Sequence, residues 1–159
     1  MTSKTELQHL RRCVELATEA LLAGDEPFGS VLVAADGTQL AEDRNRVGLG
    51  DPTRHPEFEL ARWAAANMTR EARAAATVFT SAEHCPMCAA AHGWVGLGRI
   101  VYICSSQQLA AWLEALQAPA PPVRCLPIQE LVPGVVVEGP IAALAEQVHE
   151  LFRRFYGAT

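Results

Sequence analysis

Glu83-His84-Cys85-Pro86-Met87-Cys88 places two cysteines three positions apart. Such a pair suits a redox couple, half of a closed structural metal site, half of a metal site with an open position, or plain packing at a helix start. A redox couple follows a strand and begins a helix, as this pair is predicted to do, but the Trp-Cys-Gly-Pro setting usual around such couples is missing. A closed zinc site needs four ligands, and the chain has no second Cys-x-x-Cys. Cys104 and Cys125 stand alone and read as ordinary buried thiols. Upstream lies His55-Pro56-Glu57. One imidazole with two thiolates is a three-ligand zinc set that leaves one position for water. Glu57 is then close enough to take a proton from that water without being a ligand, since a metal-held water has a much lowered pKa.

Both half-motifs must be delivered by the elements around them. Each is predicted at a helix N-terminus, where backbone N–H groups and the helix dipole favour anionic thiolates. Apolar residues at Leu7, Leu10, Val14, Leu16, Ala17, Leu21 and Leu22 predict a first helix over 5–23. "SVLVA" and "QLAEDR" read as strands joined through a hairpin at Asp36-Gly37. The loop 45–54 leads into a helix over 55–68, followed by the strand "ATVFTSA" and a helix over 86–96. "GRIVYICS" is a buried strand and 107–116 a helix, while the Pro-rich 117–125 cannot be helical. "PGVVVEG" reads as a further strand or extended segment, and 140–157 as a final helix with Pro140 at its start. Helices alternating with strands imply one α/β domain, a sheet covered by helices.

Bulk properties narrow the class of function. The chain has 159 residues, half of them hydrophobic, a length that suits one domain burying roughly two thirds of its unfolded surface. No segment reaches the ~20 uninterrupted apolar residues of a membrane span, and the polar start "MTSKTELQHLRR" lacks the apolar core of a signal peptide. A cytoplasmic location is expected. Five cysteines, an odd number, argue against a disulfide scaffold. The net charge of −5 disfavours a broad nucleic-acid surface. The "NMT" sequon at Asn67 is chance in a cytoplasmic chain.

Taken together, "EPFGSVLV", "NRV", "DPTRHPE", "TSAEHCPMC" and Trp94 resemble the cytidine-deaminase-like superfamily. The likeness runs from about Leu7 to Leu116. It points to the branch holding guanine deaminases, yeast-type cytosine deaminases and tRNA adenosine deaminases, with "PFG", "DPT…H" and Trp94 most like bacterial guanine deaminases. The resemblance implies a three-layer α/β/α fold with a central mixed five-stranded sheet. It also implies one zinc ion held by His55, Cys85 and Cys88, with Glu57 as proton shuttle. Asn45 matches the asparagine that hydrogen-bonds the substrate base, and Phe28 and Trp94 match pocket-lining positions. Pro56 and Glu83 occupy positions beside the substrate, and the final helix, with Tyr156, is expected near the pocket, which in this branch the tail often closes. Relatives are dimers, and the apolar face of "AAAHGWVG" is a candidate interface.

Two departures from the family pattern stand out. His84 replaces the usual proline before the first cysteine, and Pro56 replaces the usual alanine within HxE, so position 56 cannot donate an N–H to a substrate. Glu59, four residues after His55, suits either an imidazole-orienting role or a solvated one. His92, Arg54, His149 and Arg154 are weaker candidates for substrate contact. The expected reaction is hydrolytic deamination of a free nucleobase or related amino-heterocycle, guanine, cytosine or triazine-like, with no nucleic acid and no membrane involved. A nucleoside or tRNA adenosine deaminase is the alternative, and a non-catalytic zinc-stabilised binding protein the alternative of a different class.

Overall fold

The central strands are buried on both faces, and the alternating direction of their side chains decides which helices cover which face of the sheet. A computed structural model describes residues 2–157. The elements run α1 (Lys4–Leu22), β1 (Gly29–Val33), β2 (Gln39–Arg44), a 3-10 turn (Val47–Leu49), α2 (Pro56–Asn67), α3 (Arg70–Ala75), β3 (Thr77–Ala82), α4 (Pro86–Val95), β4 (Arg99–Cys104), α5 (Ser106–Ala115), α6 (Ile128–Leu131), β5 (Val137–Glu138) and α7 (Ala142–Tyr156). The strands form one sheet in the order β2-β1-β3-β4-β5. β1 is antiparallel to β2 and β3, whereas β3, β4 and β5 are parallel. The sheet is therefore mixed and five-stranded, with helices on both sides, as expected.

Successive strand side chains point to opposite faces. Val31, Val33, Phe79, Val101 and Ile103 face one way and pack with Leu10, Cys13 and Leu16 of α1 and Leu144, Val148 and Phe152 of α7. Leu32 and Val78 face the other way, onto Leu60, Ala61 and Ala64 of α2. Ile100 and Tyr102 share that second side with Ala89 of α4 and Ile128 of α6. Ser30 and Thr80 stand in the same parity as Leu32 and Val78, so they too point toward the α2 and α4 side.

Local chemistry sets the helix ends. Ser3 and Ser105 each accept from the N–H three residues on, while Glu6 and Gln108 reach back to the cap backbone, forming capping boxes. α2 and α4 begin alike: His55 and Cys85 are the N-cap residues, and Pro56 and Pro86 follow at the first helical position, where no N–H is needed. Gly29 permits α1 to lie directly on β1, since a Cβ there would sit 2.4 Å from Leu16 Cβ and 2.5 Å from the Cys13 carbonyl oxygen.

Two short helices were not expected. α3 is capped by Thr69, whose hydroxyl accepts from Ala72 N–H at 3.2 Å, and α6 interrupts the stretch before β5. β5 is two residues long, shorter than "PGVVVEG" suggested. α7 lies on the α1 face of the sheet. Among the described residues, no helix is long and apolar enough to cross a membrane.

Candidate metal centre and active site

The two proline-led helix starts converge. α2 and α4 pack against each other on one face of the sheet, which brings His55 Nδ1, Cys85 Sγ and Cys88 Sγ within 4.8 Å of one another. The individual separations are 3.5 Å from Cys85 Sγ to His55 Nδ1, 3.6 Å from Cys88 Sγ to His55 Nδ1, and 3.5 Å between the sulfurs. Zinc–sulfur and zinc–nitrogen bonds of ~2.3 and ~2.1 Å around a tetrahedron separate the donors by about 3.6–3.8 Å. The observed triangle fits that geometry with one corner left over. A disulfide would need the sulfurs at about 2.05 Å, so none joins Cys85 and Cys88.

Electrostatics agree with a site built for a dication. The Cys88 thiol, with His55 assisting, holds the Cys85 thiol down to about 4, against the opposing effect of burial. Cys88 is pushed up, because Cys85 beside it and burial both disfavour a second negative charge. Only a cation between them lets both be thiolates. The backbone N–H of Cys88 favours the Cys85 thiolate and that of Phe58 the Cys88 thiolate, adding a field of the same sign.

Glu57, at the second helical position of α2, is buried. Desolvation raises its pKa, while His55 and a hydrogen bond from Thr80 pull in the other direction. Its Oε1 accepts from Ser30 Oγ at 2.9 Å and from Thr80 Oγ1 at 2.7 Å. Glu57 and two of the metal-site residues, His55 and Cys85, line one cavity with Phe28, Glu83, His84, Ser106, Leu109, Cys125 and Leu126. The cavity has room for the centres of water-sized spheres over about 60 Å³, so it is a small cavity beside the metal site.

The other expected contacts divide. Phe28 lines the cavity and meets Phe152 of α7 edge-on, with ring centroids 5.2 Å apart. Asn45 is fully buried on the loop after β2; its Oδ1 accepts from Val47 N–H at 3.0 Å, and its Nδ2 has no partner. That hydrogen bond fixes the amide orientation, because only the oxygen can accept from an N–H. Pro56 is buried at the start of α2.

Glu83 reaches the cavity wall, but its carboxylate is committed elsewhere. Oε2 accepts from Ser106 N at 2.8 Å and Ser106 Oγ at 2.7 Å, and Oε1 from Ile128 N at 2.9 Å. It ties the starts of α5 and α6 to the site, so the expectation of a substrate contact is corrected to one of wall-building. Trp94 is also corrected. It is 91% exposed and does not line the cavity, because α4 buries Cys88, Ala89 and His92 and turns Trp94 to the opposite side. Tyr156 lies outside the cavity lining, donating its hydroxyl to Glu26 Oε1 at 2.7 Å. α7 thus backs Phe28 within its own chain and contributes no lining residue.

Among the weaker candidates, His92 Nε2 lies 2.9 Å from the Gly98 carbonyl oxygen, and His149 stacks on Trp112 at 4.3 Å. Arg54 pairs with Glu59 at 3.6 Å, which leaves Glu59 on the solvated reading. Arg154 is exposed. Cys104 is buried as expected, but Cys125 is exposed and reaches the cavity rim. Ser106, Leu109 and Leu126 were not foreseen as lining; an amphipathic helix and a Pro-rich connection carry no local signal that their tips meet at a cavity. Ser30 and Thr80 were missed as well, although both occupy strand positions of the site-facing parity.

Comparison with known proteins adds relatives to this geometry. The sequence family described as the cytidine and deoxycytidylate deaminase zinc-binding region matches residues 3–104. A probable cytosine deaminase of Schizosaccharomyces pombe is 31% identical over 107 residues, covering 67% of this chain and 65% of that protein. The guanine deaminase of Bacillus subtilis is 38% identical over 95 residues, covering 58% of this chain and 60% of that protein. The matched stretch thus spans just under two thirds of these relatives' own length. The solved guanine deaminase from Nitrosomonas europaea superposes with a TM-score of 0.71 at 21% identity, covering 99% of this chain and 87% of the other, and shows the same fold.

Proposed function

The chain belongs to the cytidine and deoxycytidylate deaminase zinc-binding family, and from that premise we propose that it hydrolyses the exocyclic amine from a free nucleobase or related amino-heterocycle, guanine first among them. The single observation that carries this reading is the three-ligand triangle sharing one cavity with the buried carboxylate of Glu57. His55, Cys85 and Cys88 would hold zinc. When bound there, zinc lowers the pKa of the attacking water and polarises it.

The chain's own groups do the rest. Glu57 accepts the water's proton at the oxygen facing the cavity. It passes that proton to a ring nitrogen, then takes the remaining proton of the added hydroxyl and gives it to the departing amine, so that ammonia leaves. Burial suits this shuttle, because a carboxylate whose pKa is raised is a stronger base toward the attacking water and holds the accepted proton between steps. Phe28 and Leu109 offer an apolar wall on which a planar ring stacks. The unpartnered Nδ2 of Asn45 is a donor awaiting an acceptor on the base, since buried donors are otherwise satisfied. Pro56 offers no N–H, so a carbonyl on the base must find its donor elsewhere.

The chain's negative charge favours a free base over a tRNA, whose phosphates would call for cations at the mouth. We read the protein as a homodimer at a cytoplasmic address. The test is ammonia release by the zinc-loaded protein over a panel of bases, nucleosides and tRNA. Replacing Glu57 with Ala should lower turnover by about 10²–10⁴-fold and leave zinc content intact. Activity that survives in that variant defeats the proton-shuttle assignment. Zinc content should fall in Cys88→Ser.

A further inference from the structure

A single oxygen of Glu57 receives two hydroxyl donors that come from neighbouring strands. Ser30 of β1 and Thr80 of β3 stand directly opposite each other in the antiparallel register, both with no solvent exposure. Their hydroxyl oxygens are 2.9 Å apart, and each approaches Oε1, at 2.9 and 2.7 Å. Thr80 Oγ1 is also 2.9 Å from the Ala82 carbonyl oxygen. That carbonyl alone would satisfy the Thr80 hydroxyl, so convergence on Glu57 is more than the tidying of buried polar groups. Both donors go to Oε1 and none to Oε2, which fixes the carboxyl plane and leaves Oε2 for the cavity that Glu57 lines.

We propose that Ser30 and Thr80 are positioning residues that hold Oε1 of Glu57 and thereby aim Oε2 at the reacting water and base; this rests on the deaminase reading above. The hydroxyls sit on rigid neighbouring strands and hold only Oε1, so the work of Oε2 in the cavity asks no movement of the cross-strand pair that holds the carboxyl.

The test uses the zinc-loaded protein with guanine as substrate, together with crystal structures of the variants. Thr80→Val keeps the shape and removes the hydroxyl; Thr80→Ser keeps the hydroxyl and removes a methyl. Misplacing a reacting group by a fraction of an ångström to one ångström costs up to about a hundredfold in rate. Thr80→Val should therefore lose about tenfold in kcat with KM and zinc content held. Ser30→Ala combined with Thr80→Val should lose about a hundredfold, and Thr80→Ser should recover most of the activity. Crystals of the double variant should show the Glu57 carboxyl turned away from its present orientation. Full activity in Thr80→Val, equal loss in Thr80→Ser, a change in KM alone, loss of zinc, or an unmoved carboxyl would each overturn the proposal. If the unsubstituted protein releases no ammonia from guanine, or if Glu57→Gln is as active as the unsubstituted protein, the functional reading fails instead, and the crystallographic comparison still decides the positioning claim.

Discussion

Three buried hydrogen bonds to one carboxylate make Glu83 a structural residue at a functional address. Its oxygens accept from two backbone N–H groups, at Ser106 and Ile128, and from one hydroxyl. An N–H buried without an acceptor costs about 1–3 kcal/mol, and a glutamine placed there would present an NH₂ to at least one of those donors. Glu83→Gln should accordingly lower stability by about 2 kcal/mol in denaturant unfolding, with zinc content unchanged. Turnover should fall only as far as the wall carrying Ser106 and Leu126 loosens. A variant of unchanged stability but sharply raised KM would restore Glu83 to substrate contact. Asn45 differs in kind. Its amide has a donor left over rather than all its atoms engaged, and the proposed function gives that donor an acceptor on the base.

The elements show why some of this was legible in the sequence and some was not. The metal triangle, and the placing of Glu57 beside it, were legible because the chemistry demands particular side chains at short spacings, His-x-Glu and Cys-x-x-Cys, each at a helix start announced by proline. The sheet was legible because β-branched runs and an Asp36-Gly37 turn are local signals; Gly37 indeed takes φ +89°. Glu83 was misread because its partners lie 23 and 45 residues away, and spacing carries no record of such contacts. Trp94 was misread because a two-residue step from His92 carries it round to the exposed side of α4. Thr80 and Ser30 look like ordinary strand residues until the β1–β3 register sets them opposite each other. The α1–β1 contact makes a prediction at this scale. Gly29 has no room for a methyl between Leu16 and the Cys13 carbonyl, so Gly29→Ala must displace α1 from the sheet. Overpacking of this kind costs about 1–3 kcal/mol. Thermal unfolding should shift down accordingly, whereas Gly37→Ala, which has open space but a positive φ, should lose less.

At the scale of the molecule, two layers of apolar packing exist without the metal, and the metal joins two helices on one of them. The α1–α7 layer contains none of the ligands. A chain of this size buries enough apolar surface to fold without a staple, unlike a zinc finger, which unfolds without its ion. Trp94 and Leu49 are the most exposed of the large apolar side chains among the described residues; on the homodimer proposal, sedimentation should give twice the 17.2 kDa chain mass, and Trp94→Glu should shift it toward the single chain if α4 forms the contact. Chelation makes the sharper prediction. Stripping zinc should leave a cooperatively folded protein of lower Tm, with faster amide exchange confined to the first turns of α2 and α4. Binding requires neutral His55 and two thiolates, yet without a cation the Cys88 thiol stays protonated because Cys85 beside it already claims the negative charge. Zinc uptake must therefore release protons, so its apparent affinity should fall as pH is lowered, and the gap in Tm between loaded and stripped protein should narrow with it. A gap independent of pH across the ~3 pH units around the histidine range would mean that the sulfurs and the imidazole are not the ligands.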